Sequence, residues 1–291
     1  LLVLVHKDQP RRVGTGGRFR LPVDSHEAFM DRLTIAHALL LLAAAFAAGV
    51  INSIAGGGTL LTFPLLYALG LDAKIANATS TVALWPALAG GLFGYRREME
   101  GTRDLLWRLG LASVAGGGLG AWLLIRTPSE TFAWLVPFLI LFATILFMLQ
   151  EPINRWVRVG ELNPEEARRR SWWAGAIFFQ FCSAVYGGYF GAGNGILMLA
   201  AMGLLGLTDI HRANGLKNFL GLMLNFVAIL LFAAYGMVHW GVALVMAVGA
   251  VGGGYFGASA ARYVGRAVVR RAVVAIGFAI GAAMLWRTFA G

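Results

Sequence analysis

Apolar runs alternate with short polar or basic connections along this chain, at roughly 33–54, 58–71, 75–95, 105–125, 131–150, 172–190, 195–207, 210–235, 238–261 and 268–288. Most hold about 20 residues, enough to carry a helix across a hydrocarbon core about 30 Å thick. Two do not. The runs 58–71 and 195–207 would reach only about 20 Å at ~1.5 Å per residue. Each begins at a glycine break, Gly56-Gly57-Gly58 in the first case and Gly191-Ala192-Gly193-Asn194-Gly195 in the second. A glycine costs about 1 kcal/mol relative to alanine inside a helix. Broken backbone persists at membrane depth only where protein or a water-filled cavity satisfies its polar groups. The pattern predicts two hairpins that turn within the membrane, with each short run as the returning arm.

Composition agrees with the pattern. The 291 residues are 58% hydrophobic and 13% charged, with a mean hydropathy of +0.71, which excludes a soluble domain of this size. The fold class is all-α, a polytopic helical membrane protein. The net charge of +10 suggests nucleic acid until the arginines are placed. They cluster in short loops between apolar runs, so the expected partner is the lipid bilayer and not nucleic acid. Cys182 is the single cysteine; it excludes an intrachain disulfide and is expected to be a small buried packing residue. Residues 1–29 are polar, lack a signal-peptide core and are read as a tail outside the mature chain or disordered, with the functional chain beginning near Met30. The membrane part divides into repeat one over 30–150, a cytoplasmic linker over 151–170 and repeat two over 171–291.

The repeat is read from a constant offset. Adding 137 carries Gly56 onto Gly193, Gly58 onto Gly195, Leu60 onto Leu197, Ala76 onto Ala213 and Asn77 onto Asn214. Farther along it carries Gly116, Gly117, Gly120 and Ala121 onto Gly253, Gly254, Gly257 and Ala258. An ungapped match over this span indicates internal duplication. Loop arginines then orient the halves. Arg96, Arg97, Arg103 and Arg108 flank one connection, Arg155, Arg158, Arg168, Arg169 and Arg170 the central one, and Arg262, Arg266, Arg270 and Arg271 the last. Placing all three in the cytoplasm puts Met30 and the loop 236–240 outside. About five membrane segments per repeat is an odd number, so the repeats are inverted, each opening with a glycine-broken hairpin. Trp107, Trp134, Trp156, Trp172, Trp173, Trp240 and Trp286 fall near predicted ends, where an aromatic belt would hold them.

The chemistry gathers at the breaks. Helix is expected to resume near Thr59 and near Ile196, and a helix start offers unpaired N–H groups and a partial positive charge. Two such starts at one midplane site would receive a small anion. The candidate substrate-binding residues are Asn52, Ser53, Gly56, Gly57, Gly58 and Thr59 at the first tip, and Gly193, Asn194 and Gly195 at the second. Asn77, Ser80, Asn214 and Lys217 stand behind them. Asn77 and Asn214 either cap broken backbone or donate to substrate. Lys217 is the only lysine well inside an apolar run; it either snorkels to the interface or supplies the positive charge of the site. Gly116, Gly117, Gly118, Gly252, Gly253 and Gly254 are read as close-packing positions between helices. Asp72, Asp104, Glu130, Glu151 and Asp209 all sit at helix ends, so a carboxylate relay for protons or sodium has no evident residue.

Asn52-Ser53-Ile54-Ala55-Gly56-Gly57-Gly58-Thr59-Leu60-Leu61-Thr62-Phe63-Pro64, followed by Ala76-Asn77-Ala78-Thr79-Ser80, resembles the N-terminal signature of the TauE/SafE family of sulfite exporters. Gly188-Tyr189-Phe190-Gly191-Ala192-Gly193-Asn194-Gly195, with Ala213-Asn214-Gly215-Leu216-Lys217-Asn218, is similar to that family's second repeat, although Asn194 departs from an all-glycine turn. The resemblance spans about residues 33–288. It implies transport of sulfite, organosulfonates or related small organic anions. The resulting expectation is a secondary transporter working by alternating access in the cytoplasmic membrane, with no cofactor and no metal. A passive anion channel and a non-transporting membrane assembly factor are the alternatives. An intramembrane enzyme lacks its usual motifs here: there is no G-x-S-x-G, no H-E-x-x-H and no pair of buried aspartates.

Overall fold

A computed structural model describes residues 34–54, 57–94, 103–159, 170–205, 207, 209–264 and 266–290, and these form helices with short connections and no strand among them. In chain order they are α1 (Ile35–Ile54), α2 (Thr59–Ala68), α3 (Ala73–Gly94), α4 (Arg103–Arg126) and α5 (Ser129–Val159), then α6 (Arg170–Tyr189), α7 (Asn194–Leu204), α8 (Ile210–Ala234), α9 (Trp240–Val264) and α10 (Arg266–Ala290). Stretches long and apolar enough to cross a membrane lie in α1, α4, α5, α8 and α10. The expected tail, 1–29, and the arginines 96, 97, 168 and 169 lie outside the described residues.

Both short runs are short helices, α2 with 10 residues and α7 with 11. Two expected bounds shift. Helix resumes at Asn194, not near Ile196, because Gly193 takes the left-handed conformation (φ 75°) as its cap. α5 runs 31 residues, about 46 Å at ~1.5 Å per residue. It therefore carries helix into the first part of the segment read as a linker. Cys182 is exposed, contrary to expectation. The buried residues of α6 around it, Ser183, Ala184 and Gln180, turn toward α4 and α7, and Cys182 is left on the outer face.

Lipid tails are as apolar as leucine, so helices in a membrane associate through close packing and small residues. The largest interfaces join α1 to α9 and α4 to α6. A Cβ on Gly253 would overlap the carbonyl of Phe46, and one on Gly249 that of Leu42. On the other pair, Gly116 backs onto the carbonyl of Phe181 and Gly120 onto that of Val185. Numbers rise together in both, so α1 runs parallel to α9 and α4 parallel to α6. Gly117 likewise backs onto Leu224, which bears out the packing role read for Gly116, Gly117 and Gly253. Gly252 and Gly254 have room for a methyl group, and Gly118 nearly so.

Contacts among helix ends define two poles. At one, Lys74 Nζ donates to the carbonyls of Ile125 (2.9 Å) and Thr127 (2.8 Å), closing the C-terminus of α4. The backbone of His239 donates to Thr79 Oγ1 at 3.0 Å, which fastens the α8–α9 loop over the start of α3. At the other, Arg270 pairs with Glu151 at 2.5 Å, and the Arg108 guanidinium lies 5.1 Å above the Trp173 ring. Trp107, Trp134, Trp240 and Trp286 are exposed near helix ends, as an aromatic belt requires. Next to the first pole, Phe63 of α2 meets Phe190 of the second break edge-on at 5.4 Å, and Phe132 in the first turn of α5 packs on the same ring. This aromatic cluster, buried throughout, locks the two hairpins against each other.

Candidate functional site

Each break is closed by side chains. At the first, Asn52 Oδ1 accepts from the backbone of Gly57 (2.8 Å) and Gly58 (3.4 Å), bridging the gap between α1 and α2. A Cβ at Gly57 would overlap the Phe147 ring, and one at Gly58 the carbonyl of Ala48. The glycines at the first tip therefore admit protein on their Cβ side.

At the second break, the N–H groups of Phe190 and Gly191 both donate to the Tyr186 carbonyl, at 2.9 and 3.2 Å. The Tyr186 hydroxyl donates to the Ala192 carbonyl (2.7 Å). Gly191 and Gly193 both hold left-handed φ, 80° and 75°, where a side chain is strained. Ser183 Oγ donates to Asn194 Oδ1 at 2.7 Å. Asn77, from the other half, donates through Nδ2 to the Tyr189 carbonyl at 3.2 Å. Of the two roles read for Asn77, capping broken backbone is the one its geometry serves.

The two tips line one cavity of about 70 Å³. Asn52, Gly57 and Thr59 come from the first hairpin, and Gly191, Asn194 and Gly195 from the second. α8 adds Lys217, Asn218 and Asn225, and α3 adds Thr81 and Trp85. Lys217 is 6% exposed, held inside the helix bundle. Its ammonium donates to Asn214 Oδ1 at 3.0 Å, so Asn214 positions the lysine from behind the wall. No acidic residue lines the cavity among the described residues. Carboxamides, hydroxyls, the first turns of α2 and α7 and one cation together make a wall that favours negative charge.

Other expected residues stand outside the lining. Ser80 is 2.6 Å from Thr62 Oγ1 and fully buried, joining α3 to α2. Gly58 and Gly193 shape the turns. Gly56 and the side chain of Ser53 lie outside the described residues. Trp85, Leu84, Leu88, Gly187, Gly221 and Met198 belong to the wall and went unread. Helical spacing would have found some of them, since 81, 84, 85 and 88 share one face of α3 with Asn77.

Comparison with known proteins decides the family. Residues 41–284 match the model of the sulfite exporter TauE/SafE family. The chain belongs to the TauE/SafE family. It is 28% identical over 249 residues to a probable membrane transporter protein of Haemophilus influenzae, covering 85% of this chain and 94% of that one. It is 27% identical over 244 residues to the probable membrane transporter protein YfcA of Escherichia coli, covering 83% and 87%. A probable membrane transporter protein of Sinorhizobium, ORF9, is 26% identical over 246 residues, covering 84% and 91%. No solved structure matches. This family member is a multi-pass membrane protein of the transporter kind, and its relatives are named as transporters throughout.

Proposed function

We propose that this protein is a secondary transporter of a small anion, sulfite, an organosulfonate or a related organic anion, in the cytoplasmic membrane. The observation that carries the reading is Lys217, a buried cation in a cavity shared by both hairpin tips and lined by no carboxylate among the described residues. Candidate ligands to the anion are Lys217, Asn194, Asn218, Asn52 and Thr59, with Asn214 and Asn77 as supports. The two halves are proposed to be inverted repeats. Reciprocal packing supports this: α1 on α9 matches α4 on α6, and α3 on α9 matches α8 on α4. Alternating access then follows as one half rocks against the other about the shared cavity.

Proteoliposomes test the transport step. Uptake of labelled sulfite or methanesulfonate should saturate and be accelerated by unlabelled anion on the opposite side. Flux that stays linear in concentration and shows no trans-stimulation would instead mark a passive channel. Sidedness is tested by single cysteines in a Cys182→Ser background. Position 236 is expected to label from outside intact cells and position 151 only after permeabilisation; the reverse pattern would invert the assigned orientation.

A further inference from the structure

The cavity is lopsided. Lys217 stands 137 positions after Ser80, and Ser80 is turned away to Thr62, so among the described residues the charge comes from the second half. Bulk comes from the first half. Trp85 lines the wall together with Leu84 and Leu88 of the same face of α3, and Met198 of α7 is also apolar. Its indole Nε1–H donates to the Leu222 carbonyl at 3.2 Å, across positions 137 apart. Its ring stacks on Phe226 with centroids 6.0 Å apart and planes at 29°. The indole is thus held at two points on α8 and cannot leave the wall without losing a hydrogen bond and a ring contact. At the equivalent place α8 carries Leu222.

We infer that Trp85 is a specificity-determining residue that limits the length of apolar tail an anion can carry into this cavity. The inference rests on the anion reading above. An anionic head seeks Lys217, the one cation lining the cavity among the described residues, and the carboxamides of Asn194 and Asn218. A tail is best placed against Leu84, Leu88 and Trp85, because the rest of the wall is largely glycine, carboxamide and hydroxyl, and a tail over those polar groups would leave them unpaired. At about 70 Å³ there is room for a compact head and a tail of about one or two carbons on this size argument. A longer tail meets an indole that is fixed in place. Trimming the indole to leucine opens space for added methylenes. Each one then buried gains about fourfold in affinity, the equivalent of ~0.8 kcal/mol per CH₂.

The test is calorimetric binding of methane-, ethane-, propane- and butanesulfonate to detergent-purified wild type, Trp85→Leu and Trp85→Phe. The quantity read is the ratio of butanesulfonate to methanesulfonate affinity, which a general loss of structure would not raise. Wild type should discriminate against the long chain. Trp85→Leu should raise the ratio by about tenfold or more, as two extra methylenes imply, with Trp85→Phe between. If Trp85→Leu does not fold, a rise in Trp85→Phe carries the result. Wild type that binds methanesulfonate, with the same ratio in the folded variants, would overturn the length limit and leave the anion reading standing. Wild type that binds sulfite but none of the four would overturn the length limit alone, and wild type that binds neither sulfite nor any of the four would overturn both.

Discussion

Replacing Lys217 by glutamine is expected to weaken anion binding by one to two orders of magnitude while leaving the fold intact. The lysine is buried, its ammonium has Asn214 Oδ1 as a neutral acceptor at 3.0 Å, and among the described residues no carboxylate lines the cavity. A hydrogen bond to a charged group contributes roughly 1.5–3 kcal/mol, which sets the size of the loss. Glutamine keeps a donor for Asn214 and removes a cation whose burial costs the fold free energy. Thermal stability without ligand should therefore hold or rise as affinity falls. Those opposite directions separate a binding role from a structural one. Lys217→Arg keeps the charge but spreads it over a planar fork, and its affinity should fall between. Equal sulfite affinity in wild type and Lys217→Gln, measured on purified protein, would remove Lys217 from the site.

Adding a methyl group at Gly120 should destabilise the protein. The new Cβ would overlap the Val185 carbonyl and approach the Tyr189 N–H at 2.8 Å, and backbone cannot swing aside as a side-chain tip can. α4 and α6 would have to part, and α6 carries the second hairpin. Overpacking of this kind typically costs about 1–3 kcal/mol, so Gly120→Ala should lower the midpoint of thermal unfolding by several degrees. Gly110 lies on the same helix, where the nearest atom to a new Cβ is Phe219 Cε1 at 3.8 Å. Gly110→Ala should leave the midpoint unchanged or raise it, since alanine is the better helix former by about 1 kcal/mol. Equal midpoints for the two variants would mean that the α4–α6 interface tolerates separation.

Asn77 and Asn214 show why the site was only partly legible. The offset of 137 marks them as equivalent, and both are asparagines one helix behind a hairpin. Their work differs. Asn77 reaches the Tyr189 carbonyl of the opposite break, whereas Asn214 holds Lys217. Equivalence in sequence cannot reveal this, because Asn77 answers to the other half of the molecule while Asn214 answers to a lysine one turn along its own helix. Gly57 makes the same point. A glycine at a broken tip reads as room for a ligand, yet its Cβ side is filled by the Phe147 ring of α5, about 90 residues away along the chain.

What the sequence determined by itself was the local physics: apolar runs of membrane-crossing length, two runs too short to cross, glycines that break helix, and residues that recur at an offset of 137. These depend on neighbours along the chain, so a linear reading captures them, down to the start of α2 at Thr59. The tertiary structure alone decided which groups share a space. It turned Trp85 of α3 toward Leu222 of α8, exposed Cys182, buried Ser80 against Thr62 and brought Lys217 beside both tips. Those outcomes follow from how helices distant in sequence cross. A helix in lipid gains little from hiding one apolar face over another, so hydropathy does not mark its inner side, and only the close packing of small residues and paired polar groups does.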